Sequence, residues 1–204
     1  MDIVIHTDGD RKVLAIKNVL AVHSPLFCQV LTTTTLKQTD CGLSLLHLDE
    51  AQPEPYTIVQ AAANYFHAGE LPHWKEIEDW LRLAEFGDKY EAHRLVSAID
   101  SEICRQSWML QTLLSPVRLT ASLVVAFNLN LTTLLAQTRD RFVTSGALQN
   151  LAALKALPGE ELVNLLQQRE SEHLAERADL ESVFSVVYKN VHRSIFWQPS
   201  SSPI

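Results

Sequence analysis

The chain has 204 residues, of which 47% are hydrophobic and 20% charged, enough apolar material for a buried core and too much for a disordered chain. The net charge of −7 belongs to the first half: residues 1–106 carry 9 Lys/Arg against 16 Asp/Glu, whereas residues 107–204 carry 8 of each. The acidic half repels phosphate backbones, and nucleic acid is not expected as a partner.

Ile3-Val4-Ile5 is a β-branched first strand, and Asp8-Gly9-Asp10 is a turn signal. Val13 to Ile16 returns as a second strand, and Lys17 to Val22 reads as a helix. Ser24-Pro25 ends it and starts another, with Ser24 as cap and Pro25 in the first turn. Leu26, Phe27, Val30 and Leu31 share one face of that second helix. Thr32 to Thr35 reads as a helix end or loop, and Leu43 to Leu48 alternates as a third strand. After a loop broken by Pro53 and Pro55, helices are expected over Tyr56–His67, Ile77–Phe86 and Ala92–Ile103, with Gly87-Asp88 between the last two. Beyond Pro116 only helices are expected, over 119–129, 131–143, 148–157, 159–168 and 180–192. The Ser/Pro-rich tail 198–204 reads as disordered. The expected fold is α+β: a short three-stranded sheet with a helical bundle over 1–106, then an all-α region over 107–197.

These segments, in this order, resemble a BTB/POZ domain. The most specific stretch is Val19-Leu20-Ala21-Val22-His23-Ser24-Pro25-Leu26-Phe27, similar to the family's VLA-x-x-SP-x-F signature. Asp2-Ile3-Val4-Ile5, Leu46-His47-Leu48-Asp49, Tyr65-Phe66-His67-Ala68-Gly69-Glu70-Leu71 and Leu81 to Leu95 resemble further family elements. The second half resembles the helical BACK region that often follows, in Ala126 to Leu129, Leu134 to Phe142, Leu157 to Leu166 and Glu181 to Phe184.

The resemblance implies a non-enzymatic protein-interaction adaptor that binds a cullin-3 ubiquitin-ligase scaffold and a substrate protein. It places the scaffold-facing surface on Phe27, Leu36, Lys37, Gln38, Phe66, His67 and Trp74. Leu36-Lys37-Gln38 matches the family's hydrophobic-x-Glu motif, with Gln in place of Glu. A neutral amide bonds less strongly than a carboxylate, so weaker scaffold binding is expected. Trp74 reads equally as an exposed anchor or as core. The alternative is an oligomerisation or scaffold protein in transcriptional or cytoskeletal assembly, without ligase function. For that reading Asp2, Lys17, Val22 and His23 form a charged pocket or self-association surface; Asp2 and Lys17 also read as a simple salt bridge or as exposed charges. The chain begins at the first strand, without the preceding helix and strand that many dimeric members exchange, which argues against an exchanged dimer. No repeat of a substrate-binding propeller is present.

Other chemistry finds little support. Cys28 beside Phe27 and Cys104 at a helix end read as buried small hydrophobes. Cys41, in a loop, has no base marked beside it, so a Cys-His hydrolase is a remote alternative. His6, His23, His47, His67, His73 and His93 have no partner at helical spacing, so no metal is expected. Glu76, Glu78 and Asp79 read as a solvated helix face. No phosphate-binding glycine motif occurs, and no cofactor is expected. Three cysteines at irregular spacing point to reduced thiols. Without signal-peptide features or a run of about 18 apolar residues, the expected location is cytosolic or nuclear, away from membranes.

Overall fold

The β-branched start of the chain forms strand β1 (Ile3–His6), which turns back through Asp8–Asp10 into β2 (Lys12–Ala15). The computed structural model describes residues 1–48, 52–106, 116–144, 159–161, 163–171 and 174–175. Helices α1 (Lys17–His23) and α2 (Pro25–Thr33) follow, then β3 (Lys37–Gln38) and β4 (Ser44–His47). The sheet order is β2-β1-β4-β3, with β1 antiparallel to β2 and parallel to β4. The sheet therefore has four strands, not three. Residues 37–38 give no strand signal in the sequence, because a two-residue strand has no alternation to detect.

Ser24 caps α2 as expected: its hydroxyl oxygen accepts the Phe27 N–H at 3.0 Å, and its hydroxyl donates to the Tyr90 carbonyl. A fully buried serine thereby fastens the α1–α2 hairpin to Tyr90, the residue after helix α4 (Ile77–Lys89). The hairpin turn is held in a similar way. Asp8 Oδ1 accepts the Tyr56 N–H at 2.8 Å at the start of α3 (Tyr56–Ala68), and Arg11 lies 4.7 Å over the Tyr56 ring. Gly69, at φ 72, ends α3 in the left-handed conformation that glycine adopts without strain.

Helix α4 (Ile77–Lys89) runs through Gly87-Asp88, where the sequence suggested a break. The turn comes at Tyr90–Ala92, with Glu91 at φ 54, before α5 (His93–Arg105). Gly87 is present for close packing: a Cβ there would lie 2.8 Å from Val96 Cγ2 of α5. Trp80 and Leu83 of α4 and Leu95 and Ile99 of α5 are fully buried in the core, each contributing about 1.5–3 kcal/mol by burial.

Helices α6 (Pro116–Asn128) and α7 (Thr132–Thr144) continue the same core through Leu119, Leu123, Ala126, Leu134 and Phe142. Asp100, in α5 and 7% exposed, accepts the Thr133 and Leu134 N–H groups at 2.9 Å each. Glu76 and Glu78 are exposed, and Arg118, exposed as well, pairs with them at 3.9 and 3.3 Å, so the solvated face also carries ion pairs. Residues 159–161 and 163–171 are helical. The helices expected over 148–157 and 180–192, and the tail 198–204, lie outside the described residues. No described helix is long and apolar enough to cross a membrane.

Candidate interaction surface

Leu36, Lys37 and Gln38 sit at the β3 edge of the sheet. Leu36 is half-buried and packs on the core, while Lys37 and Gln38, in register with Leu45 and Ser44, are exposed. The turn that follows is built by Thr39, whose hydroxyl oxygen accepts the Leu43 N–H at 3.1 Å and lies 3.1 Å from Cys41 Sγ. That hydroxyl holds the Cys41 thiol below its ordinary range. The local sequence folds this way because Gly42, at φ 79, permits the reversal into β4.

The other expected scaffold-facing residues divide by burial. Phe27 and Phe66 are 2% and 5% exposed. Their rings meet edge to face at 6.5 Å, and Phe27 also stacks on Tyr90 at 5.2 Å. Both are core and present no surface to a partner, which corrects their expected place on the scaffold-facing surface. The reason lies in helix geometry: Phe27 and Phe66 occupy the inward stripes of α2 and α3. His67, at the end of α3, is exposed. Trp74 is half-buried, with its ring edge to face against Trp80 at 5.9 Å, and its carbonyl accepts the Trp80 Nε1–H at 3.3 Å. Its free side lines a cleft of about 270 Å³ with Tyr56, Gln60, Asn64 and Leu71. Trp74 is thus partly core, with one side open to the cleft.

On α1 the structure joins Asp2 to Lys17, but through the backbone. Asp2 Oδ1 accepts the Lys17 N–H at 2.8 Å and caps the helix, where the positive end of the dipole favours a carboxylate. Val22 is 74% exposed, more than any other large hydrophobic side chain among the described residues. His23, next to it, stacks on Phe66 at 5.0 Å, and its Nδ1 is buried without a hydrogen-bond partner. Burial, followed by the Arg94 and His67 charges, holds its pKa below the usual histidine value.

Cys28 is exposed, contrary to its expected burial: the α2 turn that buries Phe27 faces Cys28 outward. Cys104 is half-buried, and burial pushes its thiol up to about 11. Among the described residues no group of three or more His, Cys, Asp or Glu is placed to hold a metal ion. One histidine pair is invisible to spacing along the sequence. His6 and His47 lie in register on β1 and β4 with ring centroids 4.8 Å apart. Strand pairing brings them together, and helical spacing rules are blind to it.

A family model for the BTB/POZ domain matches residues 1–107. No curated protein matches the chain.

Proposed function

The chain belongs to the BTB/POZ family, whose domains mediate protein–protein interaction, and from that premise we propose that it is an adaptor for a cullin-3 ubiquitin-ligase scaffold. The observation that supports this reading most directly is the β3 edge. Lys37 and Gln38 face solvent there, and Leu36 beneath them is anchored in the core. This edge offers a partner helix the exposed part of Leu36, just before the strand, and the hydrogen-bonding amide of Gln38. His67, in the last turn of α3, and Trp74, in the loop before α4, are the further partner-facing residues in this reading. Gln38 accepts hydrogen bonds without a charge, so the affinity is lower than a glutamate at that position would give. The helical second half, read as BACK-like, then serves to position a substrate protein in the cytosol or nucleus. Co-elution of the full chain with the cullin-3 N-terminal region tests the proposal. A complex that Leu36→Asp abolishes supports it, and separate elution at micromolar concentrations removes it.

Val22 favours a second reading. A β-branched apolar side chain 74% exposed on α1 is suited to contact another copy of the chain. In this reading the protein is a self-associating scaffold. Light scattering across a concentration series would show a dimer that Val22→Asp breaks and Leu36→Asp leaves intact.

A further inference from the structure

The outer face of the sheet carries a different chemistry from the rest of the first half. Along β2, Val13 and Ala15 point into the core at 0% exposure, whereas Lys12 and Leu14 point out. Residues in register across neighbouring strands share a face. The register therefore places Lys12, His6 and His47 in one row across β2, β1 and β4, and Leu14, Val4 and Leu45 in the row beside it. Lys37, in register with Leu45, closes the second row at β3. All the ionisable side chains in the two rows are Lys or His, around an apolar centre in which Leu14 is 47% exposed. Residues 1–106 nonetheless carry seven more acids than bases, 16 against 9.

We propose that this sheet face docks an acidic segment of a partner protein, with carboxylates against the Lys12–His6–His47 row and an apolar side chain against Leu14. Charge selects the occupant. A second copy laid face to face would set lysines and imidazoles against their like, which is destabilising. A nucleic acid would meet the negative field of the surrounding domain. An acidic, partly apolar peptide satisfies both rows. The groups facing His6 are His47 from β4, Lys12 from β2 and Asp10 from the hairpin turn. With His6 itself, three of these four groups are Lys or imidazole, and protonation of His6 in acid adds to the attraction for carboxylates. The Lys12–His6–His47 row lies on β2, β1 and β4, the face meets the Leu36–Gln38 edge only at Lys37, and the test alters no residue of that edge.

The test is fluorescence anisotropy of a labelled peptide of alternating Glu and Leu against the full chain, from about pH 7.5 to about pH 5.5. A Lys–Leu peptide and an oligothymidylate serve as comparisons. The expected results are saturable binding of the Glu–Leu peptide that tightens in acid, and roughly tenfold weakening by Lys12→Glu as an attractive cross-strand pair becomes repulsive. Lys12→Ala should weaken it less, and His6→Gln with His47→Gln should remove the pH dependence. Thermal melts confirm that these surface variants fold. No binding overturns the proposal. So does equal binding of the Lys–Leu peptide, which would mark apolar adhesion alone. Equal binding of the oligothymidylate overturns it too, as does a dimer in light scattering that Lys12→Glu dissolves.

Discussion

The carboxylate of Asp100 in α5 accepts the backbone N–H of Leu134 at 2.9 Å, 34 residues along the chain, and so caps helix α7 from within the first half. With Thr133 N–H on the other oxygen, one buried side chain satisfies two of the donors that a helix start leaves open. Bonds to a charged acceptor contribute about 1.5–3 kcal/mol each, and removing the acceptor strands both amides. Asp100→Ala is expected to lower stability by about 3 kcal/mol, and Asp100→Asn by less, since one acceptor oxygen remains. Urea denaturation measures both; an alanine variant as stable as the parent would show that water replaces the carboxylate freely.

Gly87 makes a second prediction, one with a sign that propensity alone gets wrong. Alanine is favoured over glycine in a helix by about 1 kcal/mol. Here the added Cβ meets Val96 Cγ2 at 2.8 Å, and a β-branched side chain in a helix has one rotamer to use. Overpacking of this kind costs about 1–3 kcal/mol, so Gly87→Ala should destabilise. In a Val96→Ala background the same substitution should become neutral or stabilising. A double-mutant cycle showing additivity would refute the steric account.

Acid sensitivity follows from His23 and His6. Both titrate below the ordinary 6.5 in the folded chain, chiefly because burial disfavours the cation. The unfolded chain then binds more protons than the folded one below about pH 6.5, and stability falls as the pH drops through that range. His23→Phe fills the same space against Phe66 and removes a buried, unpartnered nitrogen. It should flatten the pH profile without loss of stability at neutral pH. A variant with the parent's slope between about pH 7 and pH 5 would assign the acid sensitivity to other groups.

The three thiols should separate kinetically. Cys41 is exposed, and Thr39 lowers its pKa; Cys104 is half-buried, and its thiol is pushed up to about 11. Thiolate is the reacting species, so alkylation followed by mass spectrometry should label Cys41 early and Cys104 last. Thr39→Ala should slow Cys41. Labelling of Cys104 at the rate of Cys41 would contradict the placement of α5.

Much of this architecture is legible in the residues. Ser24-Pro25 announces the start of α2, Gly69 the end of α3, and the ordered signatures the family. What escaped the sequence is non-local. The pairing of His6 with His47 depends on the register of two strands separated in the chain by two other strands and two helices. The reach of Asp100 to α7 joins segments with no shared pattern. Gly87 misled because a glycine that permits close helix packing looks, in one dimension, like a glycine that ends a helix. Phe27 and Phe66 misled differently: the family signature contains them, but their place in it is the core.

The adaptor reading turns on a single edge of the sheet, and calorimetric titration of the full chain with the cullin-3 N-terminal region tests it most directly. The account predicts saturable binding with a Kd of roughly a micromolar or tighter, lost in Leu36→Asp and strengthened in Gln38→Glu, where a charge-assisted bond replaces a neutral one. Absence of binding heat from the folded parent chain at several temperatures, or binding that Leu36→Asp leaves unchanged, would contradict it.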